Sequence, residues 1–190
     1  MQRHKHWIDK LIRLRACSDA IDWCRTYDSL DDAWQSCTRG DWMLWLLGRL
    51  SGKPGSKARK QLVLTTCECA RLALSHVKTG EDRPLKAIET TERWAIGKAT
   101  IQEVRAAANA AYAAAAYAAA AYAAADVAAT YATAADTADV ADAVAYAVDT
   151  AGVAEAAAYV AEADAIAARS NILKRCADIV RSHYPKAPEM

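Results

Sequence analysis

A stretch made almost entirely of alanine constrains the fold more than any other part of this chain. Between Ala106 and Ala125, sixteen residues are alanine, three are tyrosine and one is asparagine. Alanine has the highest intrinsic helix propensity of all residues, and alanine-rich sequence continues to Ala168. We therefore expect residues 106–168 to be helical nearly throughout, in an all-α fold.

The length of this region predicts that it folds back on itself. A single helix over residues 106–168 would be roughly 95 Å long, whereas a compact chain of this size has a radius of gyration of about 16 Å. The acidic positions also change helical face between Asp149 and Glu155, around Gly152. We place a helix break there, and residues 126–136 carry a weaker signal for a second break.

Three tyrosines recur at a spacing of five residues in the alanine-rich region. Tyr112, Tyr117 and Tyr122 each advance by about 140° around a helix, so they point to three different sides. They cannot form a single stripe, so either neighbouring helices surround this one or some of the rings reach solvent. The uncovered tyrosines are candidate binding residues.

The flanking sequence carries helix-boundary signals. Ser29 is placed to cap a helix, with Asp32 completing an imperfect capping box. We expect Gly40 to end one helix and Asp41 to cap the next.

Three further boundary signals lie before the alanine-rich region. Pro84 suits the first turn of a helix, where its missing N–H costs nothing, and Gly97 suits the end of that helix. Thr100 and Glu103 form a capping box that opens the alanine-rich region.

Two apolar patterns predict buried helix faces. The first comprises Val63, Cys67, Ala70, Leu74 and Val77, with Lys57, Lys60, Arg71 and Lys78 left for solvent. The second comprises Ile172, Cys176, Ile179 and Val180, before a helix stop at HYPKAP.

These patterns predict one compact multi-helix domain over residues 1–190. We divide it into a tryptophan-rich basic half (1–104), alanine-rich acidic helices (105–168) and a C-terminal helix (169–190). The middle part is expected to fold back, antiparallel, on the N-terminal helices.

Charge is distributed unevenly along the chain. Residues 106–168 contain eight acidic side chains and no lysine or arginine, a net charge of −8. The whole chain has 24 basic and 23 acidic residues, so the remainder carries 24 basic and 15 acidic side chains, a net charge of +9. This separation favours either attraction between the two parts or charged partners at each.

The six cysteines contain no C-x-x-C pair and no zinc-like spacing with histidine. They lie among apolar residues in helical patterns, which predicts free, buried thiols and a reduced cytoplasm. No apolar run of signal-peptide length follows the basic start, and acidic residues interrupt the alanine-rich region. We expect a soluble, cytoplasmic protein with no membrane partner.

No catalytic signature occurs in the sequence. The nucleophile-elbow, P-loop, zinc-protease and cysteine–histidine patterns are all absent. We predict no catalytic residue, no metal ligand and no cofactor, and a protein that is not an enzyme. The threonines of the alanine-rich region hold no constant period, which also disfavours an antifreeze role.

Nucleic acid is a disfavoured partner. The segment SGKPGSKARK (Ser51–Lys60) is a basic loop entering a helix and could hold phosphate, but a solvated linker explains it more simply. Mimicry of DNA is also disfavoured, because eight carboxylates over 63 residues are sparse beside one charge per about 1.7 Å of duplex.

All six tryptophans lie in the first half of the chain, and there is no phenylalanine. Trp42 and Trp45 stand one helical turn apart, close to Arg49. This cluster could be the core of a domain that lacks phenylalanine, an interface hot spot, or a base-stacking pocket for a nucleotide.

Several segments together resemble a known family. The order CSDAIDWCR, LDDAWQSCTRGDWMLWLLGRL, GEDRPLKAIETTERWAIG, an alanine–tyrosine region and CADIVRSHYP is similar to an immunity-protein family (an immunity-protein-five-like domain). The family is encoded near bacterial polymorphic-toxin loci and in phage and prophage genomes. The resemblance spans nearly the whole chain and implies a small intracellular binder that neutralises a toxin without catalysis. It implies no particular functional residues.

Three functions follow as hypotheses, of which an enzyme of unknown type is the least favoured because no catalytic signature occurs. The first is inhibition of a protein toxin, or of a bacterial defence effector, by direct contact; the alternative is sequestration of a nucleotide-like signal in a pocket of tryptophan, tyrosine and arginine. The oligomeric state stays open. The candidate binding residues are Trp42, Trp45, Arg49, Glu81, Asp82, Arg83, Tyr112, Tyr117 and Tyr122.

Overall fold

A computed structural model describes residues 6–53, 55–77, 79–115 and 162–190. They form α-helices, one short 3-10 helix and connecting segments, and no strand occurs within these ranges. The predicted all-α fold is therefore confirmed. The predicted fold-back and both predicted helix breaks fall outside the described residues.

Eight α-helices can be followed in the described part of the chain. They are α1 (His6–Arg13), α2 (Ser18–Cys24), α3 (Leu30–Ser36), α4 (Gly40–Leu50), α5 (Lys57–Arg71), α6 (Arg83–Ala95), α7 (Ile101–Ala115) and α8 (Glu162–His183). A 3-10 helix, Leu72–His76, extends α5. The predicted boundary at residue 168 falls inside α8, so the last alanine-rich residues continue directly into the C-terminal helix.

Two predicted caps are confirmed. The Asp32 backbone N–H donates to Ser29 Oγ over 3.1 Å at the start of α3. At the start of α7, the Glu103 N–H donates to Thr100 Oγ1 (3.2 Å) while the Thr100 N–H donates to Glu103 Oε2 (2.6 Å). This reciprocal pair satisfies N–H groups that the helix itself leaves without partners.

Proline and glycine mark the ends of α6 as predicted. Pro84 lies in its first turn, where no backbone N–H is needed. Gly97 follows the last turn with φ of 78°, a left-handed conformation that glycine adopts without steric cost.

The predicted roles of Gly40 and Asp41 are wrong. Helix α3 has already ended at Ser36, and Gly40 begins α4 instead of ending a helix. A Cβ at this position would lie 2.7 Å from the backbone nitrogen of Ala177 in α8. The glycine is therefore required for the close approach of two helices. Asp41 lies within the first turn of α4 and caps nothing.

The core lies where α4, α5 and α8 meet. Helix α8 packs on both α4 and α5, α6 packs between α5 and α7, and α1 packs on α2. Side chains that are fully buried include Leu44, Leu62, Val63, Ile88, Val104 and Val180. A single continuous cluster of buried apolar residues joins these layers.

The apolar face predicted for α5 is buried over its first half. Val63, Cys67 and Ala70 are buried, whereas Leu74 and Val77 lie beyond the end of α5 and are half-buried. The predicted solvation of the basic side chains is only partly right: Lys57 is exposed, Lys60 and Arg71 are half-buried, and Lys78 lies outside the described residues.

Two of those basic side chains have specific partners. Arg71 donates to both carboxylate oxygens of Glu92 in α6, over 3.0 and 2.8 Å. The Lys60 ammonium lies 5.9 Å from the centre of the Trp94 ring. Both side chains therefore connect α5 to α6.

Helix α8 also fixes the position of α3. Cys176 and Val180 are buried, as predicted for this helix. Arg181 donates through Nη1 to the backbone oxygens of Trp34 (3.3 Å) and Cys37 (2.6 Å). A basic side chain thus satisfies carbonyl groups that are left over at the end of α3.

None of the six cysteines forms a disulfide, as expected. Five are buried and Cys17 is exposed, so the prediction of burial fails for that residue. Within the described ranges, no helix is both long enough and apolar enough to cross a bilayer.

Candidate binding site

An open cavity of about 460 Å³ lies among the first four helices. We call it the tryptophan cavity. Its lining residues are Leu11, Arg15, Ala16, Cys17, Ala20, Trp23, Cys24, Leu30, Ala33, Trp34, Cys37, Arg39, Asp41, Trp42, Met43, Trp45 and Leu46. Apolar side chains supply most of this wall, and only three of the lining residues carry a formal charge.

Helix α4 places two tryptophans in the wall because of its apolar pattern. Leu44 and Leu47 are buried in the core, which fixes the rotation of the helix. Trp42 and Trp45 then lie on another face, one turn apart, and are half-buried in the cavity wall. The predicted pairing of these two residues in one site is consistent with this arrangement.

Helix α2 adds a third tryptophan. The Trp23 ring lies 5.8 Å from that of Trp42, with the two planes inclined by 56°. The centre of the Trp23 ring also lies 4.6 Å from that of Tyr27. Tilted aromatic contacts of this kind contribute about 0.5–1.5 kcal/mol beyond burial, so they hold the rings in defined orientations.

An ion pair occupies the beginning of α4. Asp41 is only 5% exposed, and Arg39 Nε donates to its Oδ1 over 2.8 Å while Arg39 Nη2 donates to its Oδ2. The same guanidinium lies 4.4 Å from the centre of the Trp42 ring, within the range of a cation–π interaction. The buried carboxylate therefore has its countercharge, and one face of Trp42 is covered by the protein's own cation.

The turn after α1 carries a second arginine to the cavity. The Ala16 N–H donates to the Leu11 oxygen (3.0 Å) and the Arg15 N–H to the Ile12 oxygen (2.9 Å). These bonds define a Schellman motif, whose left-handed position is usually glycine. Here it is Arg15, with φ of 65°, and its exposed side chain lines the cavity.

Helix α3 contributes an apolar wall. The Trp34 indole N–H donates to the Tyr184 backbone oxygen over 2.9 Å, so its polar group has a partner in the C-terminal segment. Burial raises the pKa of the Cys24 and Cys37 thiols to about 11. Both thiols are therefore neutral near pH 7 and behave as apolar groups.

The structure separates the predicted binding residues. Trp42 and Trp45 line the cavity. Arg49 does not line it, but its guanidinium lies 5.7 Å from the centre of the Trp45 ring. Tyr117, Tyr122 and the side chain of Tyr112 lie outside the described residues.

The acidic–basic segment before α6 is a separate surface feature. Arg83 Nε donates to Glu81 Oε1 over 2.7 Å, and Asp82 pairs with Lys86 over 2.6 Å. The bonds from Arg83 lower the pKa of the Glu81 carboxyl to about 2. None of these residues lines the tryptophan cavity.

The three charged lining residues, Arg15, Arg39 and Asp41, were absent from the predicted set. Arg39 is the N-cap residue of α4 and precedes Trp42 by three residues, and its side chain reaches the Trp42 ring. The sequence held no comparable signal for Arg15, because its place in the cavity lining depends on how the turn after α1 faces α2.

The basic segment Ser51–Lys60 has one arginine, Arg59, which bonds within the protein. Arg59 is 5% exposed and donates to the backbone oxygens of Gly48 (3.2 Å) and Gly52 (2.8 Å).

Among the described residues, no group of three histidine, cysteine or acidic side chains could hold a metal ion.

Comparisons with models of known protein families, with curated proteins and with solved structures found no match.

Proposed function

We propose that this protein is a non-catalytic binder that neutralises a bacterial toxin or a host defence effector by direct protein contact. The observation that carries the proposal is the half-exposed face of α4. It presents Trp42 and Trp45, each with an arginine beside its ring, next to an open apolar cavity.

These residue types suit a protein interface. Tryptophan and arginine are enriched among the few interface residues that contribute most of the binding free energy. Trp42 is already held by Trp23 and Arg39, so little side-chain entropy is lost when a partner covers it. A preorganised aromatic surface is what a tight inhibitor needs.

The choice of a toxin or effector as partner is supported by the family resemblance of the sequence. The segment GDWMLWLLGRL, which is one of its most specific parts, forms α4 itself. The resemblance and the candidate surface therefore involve the same helix.

Partner capture followed by reconstitution tests this proposal. Tagged protein would be expressed in a bacterium that carries candidate toxins or effectors, and the captured partner would then be purified and titrated. We expect inhibition of the partner's activity at a 1:1 ratio. Trp45→Ala and Arg49→Ala should each weaken binding by roughly tenfold or more, since hot-spot truncation costs about 2 kcal/mol.

Lys98→Ala provides the matched control, because Lys98 is exposed in the loop between α6 and α7. It should leave the affinity within about twofold. A partner that binds both α4 variants as tightly as the wild type would overturn the proposed surface. Failure to inhibit any captured partner would overturn inhibition as the function.

A second candidate function is sequestration of a nucleotide-like signal. The observation that favours it is the volume of the tryptophan cavity, about 460 Å³, because small-molecule sites commonly enclose about 300–1,000 Å³. Tryptophan rings also stack on nucleobases. A thermal-shift screen against linear and cyclic nucleotides should show stabilisation that Trp42→Ala abolishes; no shift with any nucleotide would refute this candidate.

A further inference from the structure

We propose that the tryptophan cavity binds a flat aromatic ligand that carries a single negative charge. This site shares Trp42 and Trp45 with the proposed protein contact, but Arg15 lines only the cavity, and Arg49 contacts Trp45 without lining the cavity. The proposal also narrows the ligand class of the second candidate function.

The residues of the cavity wall indicate that the uncharged part of the ligand is aromatic. Three half-buried tryptophans, Trp23, Trp42 and Trp45, line the cavity together with apolar side chains such as Leu11 and Leu46. Aromatic rings favour offset or edge-to-face contacts with other rings. A volume of about 460 Å³ lies within the range of small-molecule sites, about 300–1,000 Å³.

The ion pair between Arg39 and Asp41 disfavours a positively charged ligand. Tryptophan faces and a buried carboxylate are the groups that attract an organic cation. Here Arg39 already covers Trp42 at 4.4 Å and pairs with Asp41. A cationic ligand would have to displace that guanidinium from both partners, so the cavity selects against it.

Arg15 favours a ligand that carries one negative charge. With two arginines and one aspartate, the lining carries a formal net charge of +1, and Asp41 offsets Arg39 through their ion pair. The remaining positive charge is Arg15, which is exposed at the cavity. One guanidinium can pair with one carboxylate, sulfonate or phosphate group, and a polyphosphate would leave its other charges beside apolar walls.

The backbone at Arg15 supports this assignment. Its left-handed conformation is one that glycine adopts more readily than any other residue. The turn alone would therefore be served better by glycine. An arginine at this position adds nothing to the turn, whereas its side chain supplies the net positive charge of the lining.

A matched pair of fluorescent probes tests the proposal on the whole protein. 1-Anilinonaphthalene-8-sulfonate is a flat aromatic monoanion, and N-phenyl-1-naphthylamine has the same rings without the sulfonate. We expect saturable 1:1 binding of the anion, tighter than that of the neutral probe. Proflavine, a flat aromatic cation, should bind more weakly than either.

Variants locate the site and its charge. Arg15→Gln should weaken binding of the sulfonate roughly three- to tenfold, as expected for an exposed charge pair, and leave the neutral probe unchanged. Ala20→Phe places a ring in the cavity, since Ala20 lines it, and should weaken both probes more than tenfold. Ala58→Phe, on the exposed face of α5, is the control.

Each outcome decides the proposal. Equal affinity for the two naphthalene probes, or no effect of Arg15→Gln, would refute the charge assignment. Tight proflavine binding would refute selection against cations, and full binding by Ala20→Phe would show that the dye lies elsewhere. If Ala20→Phe does not fold, as judged by near-UV circular dichroism, Ala16→Leu fills the same cavity.

The test is independent of the protein-binding proposal. Arg49 does not line the cavity, so Arg49→Ala should impair partner binding and leave the sulfonate affinity unchanged. Arg15→Gln should do the reverse. Failure of one proposal can therefore be told apart from failure of the other.

Discussion

Replacing Arg15 by glycine should stabilise the protein while it weakens the tryptophan cavity as an anion site. The residue has φ of 65°, and a non-glycine residue in the left-handed region carries a cost of roughly 1–2 kcal/mol. Glycine removes that cost but gives the unfolded chain more conformational freedom, which offsets about 0.5–1 kcal/mol. We expect a net gain of about 0.5–1 kcal/mol in the free energy of unfolding.

The hydrogen bonds of the turn do not depend on the side chain. The Ala16 and Arg15 backbone N–H groups remain in the glycine variant, so no compensating loss is expected. For a chain of this length, the melting temperature should rise by about 2–4 °C per kcal/mol. Urea denaturation followed by tryptophan fluorescence measures the free energy directly.

Arg13→Gly is the matched control, because it removes the same charge from an exposed position with helical backbone, the last residue of α1. There glycine weakens a helix, so the free energy of unfolding should fall by about 0.5–1 kcal/mol. Opposite signs for the two variants are the expected result. If Arg15→Gly destabilises the protein as Arg13→Gly does, the assignment of strain at residue 15 is wrong.

Three further predictions concern other parts of the molecule. Gly40→Ala should lower the free energy of unfolding by about 1–3 kcal/mol through overpacking against Ala177, measured by urea denaturation; a neutral effect would contradict the close approach of α4 and α8. Cys17 should react first with a thiol reagent at pH 8, because the other five cysteines are buried, and Cys17→Ser should remove the fast phase; several fast thiols would contradict their burial. The Glu81 carboxyl should titrate near pH 2 by NMR, since its pKa is lowered to about 2 by the side chain and backbone N–H of Arg83, and Arg83→Gln should raise this pKa only part of the way to its ordinary value, because the backbone N–H of residue 83 still donates to Glu81. Because the folded pKa is lowered, the stabilisation from this pair is present above the unfolded pKa of about 4.3 and is lost as the pH falls through 2; an unchanged pKa in the variant would rule out the bond as its cause.

The sequence predicted those features whose causes lie within a few residues. Ser29, Pro84 and the pair Thr100–Glu103 occupy their expected positions, because a cap or a first turn is decided by side chains within one helical turn. The prediction that Gly40 ends a helix is wrong for the opposite reason. Its cause is the backbone of α8, which is distant along the chain and close in space.

In the candidate site too, the sequence predicted what nearby residues decide and missed what the packing of distant helices decides. Trp42 and Trp45 could be paired from their spacing alone, since one turn of helix brings them together. The cavity itself could not be foreseen, because it arises from how α1 and α2 pack against α3 and α4. Glu81, Asp82 and Arg83 had suitable chemistry, but no short-range pattern showed that they do not line the cavity.

The packing of α8 on α4 has a consequence for synthesis of the protein on the ribosome. About 110 residues separate Leu50, the end of α4, from Glu162, the start of α8. At about 5–20 residues per second, roughly 6–22 s pass before α4 can meet its partner. During that interval the apolar surface that α8 later covers stays exposed on the nascent chain. A ribosome that stalls before residue 162 would therefore release a product with an uncovered core, a natural target for chaperones and proteases.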